Sequence, residues 1–222
     1  MYPFSYFKEP DRQRILDFME AYPFVLLSAC NRQGVPVATH IPVMVEEHGQ
    51  ELWVYGHIMR NTDHHKALLE NPNALIVFQG PHCYVSATWY SQKHMASTWN
   101  YMTVHVHGKI EFLSDEELQT LMQKLSLRFE DQNLESAVIY DNLPEALLQK
   151  MMPAITGFVI KAESVDNVFK LSQNRDLQSY ENIIRELNER DENSKHIAAE
   201  MELRKSELFP PGKPWNPHRF DS

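Results

Sequence analysis

Glycine is scarce in this chain, with seven among 222 residues, and none falls into the GxGxxG or GxxxxGK[ST] spacing. Those spacings let backbone amides close around a pyrophosphate, so neither a dinucleotide-binding turn nor a P-loop is available. GxSxG and HExxH are also absent, which closes the common hydrolase and zinc-protease routes at motif level. Cysteine is limited to Cys30 and Cys83, both in apolar, strand-like surroundings without ligand spacing. They read as reduced, buried thiols of a cytoplasmic protein. No run of basic residues exceeds Arg204-Lys205, and the net charge is −9. Tight nucleic-acid binding depends on Lys and Arg neutralising phosphates, so the charge gives DNA binding no support. No apolar run approaches the ~20 residues that span a bilayer. The opening MYPFSYFKEPDRQR lacks the basic and apolar regions of a secretion signal. The expectation is a soluble, cytoplasmic protein without membrane association.

Histidine, by contrast, is concentrated: nine of eleven lie between His40 and His107. Around them the chain alternates strand-like and turn-like segments. Residues 23–30, 35–45 and 51–57 are separated by turns at 31–34 and 47–50, the signature of an antiparallel meander. Further strands are expected over 74–79, 83–90, 98–113 and 156–165. Helices are expected after Pro10, over 63–72, behind the capping-box sequence Ser114-Asp115-Glu116-Glu117, from about Pro144 and from Tyr180. Six or seven antiparallel strands interrupted by helices indicate an α+β fold on a β-barrel or strongly curved sheet. Residues 1–190 read as one domain with peripheral helices. Residues 191–222 read as a charged C-terminal helix or arm ending in the proline-rich FPPGKPWNPHRFDS, suited to lie against a partner subunit.

Three stretches carry chemistry. In YGHIMRNTDHHK, residues 55–66, a strand end runs into a helix start, and His57, Arg60, His64 and Lys66 gather there. The first amides of a helix are unpaired and partly positive, and Arg with Lys completes a phosphate-type anchor. In STWNYMTVHVHGK, residues 97–109, a two-residue period sets Asn100, Met102, Val104 and Val106 on one face and Tyr101, Thr103, His105 and His107 on the other. A metal is the rival reading, with His105 and His107 joined by His40 or His57, but no Asp or Glu stands nearby to complete a ligand set. Third, Tyr84, Trp89, Tyr90, Trp99 and Tyr101 supply flat apolar surface, with Thr39, Thr98 and Asn100 as donors. A pocket with aromatics, a few donors and a phosphate anchor suits flavin mononucleotide (FMN).

Taken in order, ATHIP (38–42), YGHxxR with HxK (55–66), VFQGPHCYVSATWY (77–90), TWNYMTVHVHGK (98–109) and KLSQNR (170–175) resemble the PaiB family. These are FMN-binding split-barrel proteins described as negative transcriptional regulators, more distantly similar to pyridoxamine-phosphate oxidases. The resemblance covers roughly residues 1–185. It implies a Greek-key-like antiparallel split β-barrel and a homodimer with FMN at the subunit interface. By residue, it implies that Thr39, His40, Ile41 and Pro42 run along the flavin ring and that Tyr55, Gly56 and His57 follow the ribityl chain. Arg60, His64 and Lys66 would hold the phosphate, Thr98, Trp99 and Asn100 would line the cleft, and Gln173 and Arg175 would reach it from the partner. The chain departs from the family at Asn61-Thr62-Asp63, where Asp63 would repel a bound phosphate unless it serves only as a helix cap.

Two functional classes follow. The resemblance implies a flavin-linked regulator or sensor, with DNA as a partner by family description alone. The polar face of 98–109 and Arg175 equally suit an FMN-dependent oxidoreductase, and a haem-binding split barrel is a third possibility. No catalytic base is evident.

Overall fold

The computed structural model describes residues 1–213, 215 and 216; the end of the proline-rich tail, including Pro214 and 217–222, lies outside the described residues. The six strands are β1 (Phe24–Cys30), β2 (Pro36–His48), β3 (Glu51–Met59), β4 (Asn73–Val85), β5 (Thr98–Phe112) and β6 (Ile155–Lys170). The helices are α1 (Arg12–Ala21), α2 (Asp63–Glu70), α3 (Asp115–Phe129), α4 (Glu145–Met151), α5 (Leu177–Asn188) and α6 (Glu192–Leu208). The strands close into a barrel in the order β1-β2-β3-β6-β5-β4. The β1–β2, β1–β4, β2–β3 and β3–β6 pairings are all antiparallel. This is the α+β barrel with peripheral helices that the strand pattern suggests.

Two expected strands, 74–79 and 83–90, are one. β4 runs through Gly80-Pro81, since a proline removes a single ladder donor and need not end a strand. Beyond Val85 the strand stops because Ser86 caps a single 3-10 turn at Ala87–Trp89, its hydroxyl accepting from the Thr88 amide. Such local side-chain bonds compete with the sheet ladder.

The chain divides into two compact units. One comprises residues 16–78 and 105–165. Its interior is aliphatic and aromatic: Val25, Val43, Val54, Ile76, Phe78, Val106, Phe158 and Ile160 are all inaccessible to solvent. β3 alternates strictly, with Leu52, Val54, Gly56 and Ile58 buried and the residues between them turned outward. In α3 both bonds of the capping box are made, Ser114 Oγ accepting from the Glu117 amide and the Glu117 carboxylate from the Ser114 amide. Ser114→Ala should therefore cost about 1 kcal/mol of stability, read as a lower denaturant midpoint at unchanged slope.

The other unit comprises residues 1–15, 79–104 and 166–222. Here the segment read as a C-terminal helix or arm is a helix of seventeen residues over 192–208. Asp191 caps it by accepting from the Ser194 amide, and Ile197, Ala198 and Met201 are fully buried. Tyr180 of α5 donates to the Met201 carbonyl at 2.9 Å. Arg204, itself buried, pairs with Glu9 at 2.7 Å and with Glu200 one turn back. Three apolar residues make a narrow stripe among many charges, which is why the helix reads so weakly as a packed one.

Candidate functional site

The residues marked out by sequence fall into two places, one in each unit. In the unit of residues 16–78 and 105–165, the β2 segment from Pro36 to Pro42 pairs with β1 throughout, whereas its register with β3 begins only at Val43 opposite Gly56. Residues 36–42 thus present one strand edge that β3 does not cover, and backbone donors and acceptors on such an edge suit a flat polar ring system. Thr39 lies opposite Leu27, His40 opposite Leu26, Ile41 opposite Val25 and Pro42 opposite Phe24. Ile41 is buried in the barrel, while exposed His40 stacks on Phe24 with ring centroids 5.9 Å apart.

β3 splits its candidates between its faces. Tyr55 faces outward and packs against Met44, Leu121 and Leu125, at the floor of an open cleft with Glu46, Glu117 and Lys124 on its walls. Burial, with the nearby carboxylates of Glu46 and Glu117, pushes its phenol pKa up. Gly56 faces inward, and a Cβ there would stand 2.7 Å from the Phe158 ring. Packing thus accounts for this glycine. His57 faces outward again, and its Nδ1 is buried without a hydrogen-bond partner among the described residues. Burial lowers its pKa. An orphaned buried nitrogen is uncommon and marks a place where a ligand hydroxyl would be welcome.

The β3–α2 junction is tightly braced. Arg60 donates from its backbone to the Ala154 carbonyl at 2.8 Å and from Nε to the Ile155 carbonyl at 2.7 Å, and its guanidinium reaches Asp115 at 3.3 Å. Asn61 takes a left-handed backbone, φ 65°, and its amide donates to His65 Nδ1 at 3.1 Å. That bond leaves the proton of neutral His65 on Nε2. Thr62, and not Asp63, is the helix cap: its Oγ1 accepts from the His65 amide and donates to the Met59 carbonyl. Asp63 sits in the first turn, its carboxylate accepting from the His64 amide at 2.8 Å, and its pKa is lowered chiefly by that bond. His64 contacts Thr62 and Asp63 at 3.1 and 3.2 Å. The Lys66 amide donates to the Thr62 carbonyl at 3.1 Å, while its exposed side chain makes no hydrogen bond or ion pair among the described residues. The junction therefore offers one free ammonium group and one anchored guanidinium beside a capped helix start.

His65 escapes a reading of the sequence because its neighbours His64 and Lys66 carry the motif. It is buried against the edge of Phe112, and burial, aided by the charges of Arg60, His64 and Lys66, lowers its pKa. His57 and His65 are thus held neutral in the fold. Unfolding lets them take up protons below the ordinary histidine value, so the stability they contribute is full above about pH 6.5 and declines as pH falls beneath it. The thermal midpoint should drop between pH 7 and pH 5.5, and His57→Leu should flatten part of that drop.

In the other unit, the period-2 split of β5 holds in part within residues 98–104: Asn100, Met102 and Val104 are buried while Trp99 is 54% exposed, but Thr103, expected on the outer face, is buried as well. Trp99, Tyr101 and Thr103 line an open groove with Gln79, Gly80, His82 and Met102. Asn100 does not enter that groove. It accepts from Ser172 Oγ at 3.1 Å and contacts the Met201 sulfur. Gln173 is likewise turned inward, accepting from the Leu171 amide at 2.7 Å and donating to the Phe169 carbonyl at 2.6 Å. Thr98 accepts from Lys170 Nζ, and Arg175 lies over the Tyr90 ring, 4.4 Å from its centroid. Lys170, within KLSQNR, carries no signal of its own in the sequence. Its partial burial is a tertiary property with no local pattern. Among the described residues no group of three or more His, Cys, Asp or Glu could hold a metal, and no helix is long and apolar enough to cross a membrane.

A six-stranded barrel with a strand edge left uncovered, an orphaned histidine nitrogen and a cationic strand-to-helix junction fit the groups of a flavin mononucleotide. The class they define is the flavin-binding split barrel. The chain belongs to the family "Putative FMN-binding domain", which matches residues 1–164, so FMN is its cofactor. It is 34% identical over 203 residues, 91% of this chain and 97% of the other, to "Protease synthase and sporulation protein PAI 2" of Bacillus subtilis (strain 168), of the PaiB type. The fold is shared with solved structures. One is an FAD and haem binding protein from Mycobacterium smegmatis, with TM-score 0.54 and 18% identity over 74% of this chain and 73% of that one. Another is the flavocytochrome Anf3 from Azotobacter vinelandii, with TM-score 0.54 and 17% identity over 76% of this chain and 72% of that one.

Proposed function

We propose that this protein is a flavin-linked regulator or sensor that holds FMN with its phosphate at the β3–α2 junction. The observation that carries the reading is Lys66, an unpaired cation one turn into α2, beside the anchored Arg60. His57 Nδ1 is available to a ribityl hydroxyl, and the uncovered edge of β2 at residues 36–42 to the polar rim of the ring. When bound, the flavin supplies one- or two-electron redox chemistry; the chain's own groups bind and orient it. A regulatory role rests on the PaiB likeness, since the net charge of −9 gives no support to direct DNA contact.

The reading extends to a homodimer with the cofactor at the interface, supported by exposed Phe24 (64%) stacked on His40 beside the uncovered β2 edge. Sedimentation should give twice the mass of one chain. A monomer at micromolar concentration would contradict it.

An FMN-dependent oxidoreductase is the second reading. The open groove beside Trp99 and Tyr101 favours it, having room for a small substrate. One titration separates the two. The yellow protein should resist bleaching by NADH or NADPH over minutes if it is a sensor, and bleaching within seconds would instead establish a reductase. A Soret band would indicate haem.

A further inference from the structure

Lys170 is a partly buried ammonium group without a carboxylate partner among the described residues. Its Nζ donates to Thr98 Oγ1 at 2.5 Å and to the Trp99 carbonyl at 2.6 Å, and it lies 5.7 Å from the Phe7 ring centroid. These are neutral acceptors and a ring face, so the charge is left uncompensated. The second cation nearby, Arg175, is not a counter-ion but an aggravation: burial and the Arg175 charge together lower the Lys170 pKa to about 8. Placing two cations close together in partial burial costs stability unless something negative comes between them.

The loop that brings them together is held in one shape. Ser172 adopts a left-handed backbone, φ 61°, which a non-glycine residue takes only when its surroundings impose it. Four bonds impose it here. Ser172 Oγ donates to Asn100, the Gln173 side chain spans the Leu171 amide and the Phe169 carbonyl, and the Arg175 amide donates to the Ser172 carbonyl at 3.0 Å. The side chains of KLSQNR divide accordingly. Ser172 and Gln173 brace the loop, and Lys170 and Arg175 are left with charge to offer.

A third group points the same way. Tyr90 is 8% exposed, yet its buried hydroxyl has no hydrogen-bond partner of good geometry among the described residues. Arg175 lies against its ring, and its guanidinium charge together with a loose hydrogen bond to the phenol oxygen opposes the rise in phenol pKa that burial causes, so it is the phenol proton that lacks an acceptor. A buried phenol proton without an acceptor is costly, and natural proteins seldom leave one so unless a ligand or water completes it.

We propose that Lys170, Arg175 and the Tyr90 hydroxyl form a binding site for the oxyanion group, carboxylate or phosphate, of a small organic ligand. Lys170 acts as a point charge, Arg175 as a fork and Tyr90 as a neutral donor. The site lies wholly within the unit of residues 1–15, 79–104 and 166–222, whereas the Arg60–Lys66 junction belongs to the other unit. It does not depend on the flavin reading.

The test is calorimetric titration of the purified, FMN-saturated protein with inorganic phosphate, phenyl phosphate and benzoate at fixed ionic strength. Prior saturation keeps the probes from the flavin's phosphate anchor; if the protein takes up no flavin, the titration is run on it as purified and still decides this proposal. At least one probe should bind saturably. Lys170→Met and Arg175→Gln should each weaken it tenfold or more, and Tyr90→Phe several-fold. Lys195→Gln, at a surface pair with Glu192, should bind as the parent does. If Lys170→Met fails to fold by circular dichroism, Arg175→Gln decides. No saturable binding of any probe, or equal binding by Arg175→Gln and the parent, overturns the proposal. Preference among the three probes identifies the ligand as phosphate-bearing or carboxylate-bearing.

Discussion

Replacing Arg60 and Lys66 together by alanine should weaken FMN binding about 100-fold while leaving riboflavin affinity within about threefold. Each charge-assisted contact to a phosphate is worth roughly 1.5–3 kcal/mol, and 1.4 kcal/mol is tenfold in affinity. Riboflavin differs from FMN in lacking that phosphate, so contacts to ring and ribityl chain are common to both. The two residues should not contribute alike. The Arg60 side chain already holds the Ile155 carbonyl and reaches Asp115, and its loss also loosens the β3–α2 turn. The Lys66 side chain holds nothing among the described residues, so Lys66→Ala isolates the electrostatic part and should cost about tenfold for FMN alone. Fluorescence titration with both ligands measures this. Equal losses for FMN and riboflavin would move the phosphate elsewhere.

The largest expected stability effect belongs to Gly108→Ala. A Cβ at Gly108 would lie 2.4 Å from the Lys161 carbonyl oxygen and 2.7 Å from the Ile160 side chain. The first of these is backbone within the sheet, which no rotamer change relieves, so strands β5 and β6 must separate. A loss of about 3 kcal/mol, the upper end for overpacking, is expected. Gly56→Ala meets the tip of the Phe158 ring at 2.7 Å, a side chain that can tilt, and should cost about 1–2 kcal/mol. Gly157→Ala meets only methyl groups, at 3.0 Å and beyond, and should cost least. Urea denaturation of the three variants checks the order. A Gly108→Ala protein as stable as Gly157→Ala would mean that β5 and β6 lie further apart at this point than so close an approach requires.

Most of the barrel was legible because antiparallel strands write their burial with a period of two. β3 alternates as that period requires, and the Ser114 capping box is local chemistry visible in four letters. What the sequence concealed was non-local. Gly80-Pro81 looked like a break, but the strand runs through it. Asp63 looked like the cap, but Thr62 accepts the helix amide. α6 left helix and arm open, since its buried apolar stripe is only Ile197, Ala198 and Met201. For the site, residue types were visible and their engagement was not. Asn100 and Gln173 are donors by type, yet both are consumed in bracing the chain, and Tyr55 is packed against α3 residues. Lys170 and the Tyr90 hydroxyl stand out only once the tertiary structure shows a half-buried cation held by neutral acceptors alone and a buried phenol proton without an acceptor.

The central claim is that this chain holds FMN, and the absorption spectrum of the purified protein titrated with FMN tests it most directly. The account predicts a flavin band that shifts and saturates at about one FMN per chain, with the flavin released by denaturation identified as FMN. A colourless protein whose spectrum and thermal midpoint are unchanged by added FMN would contradict it.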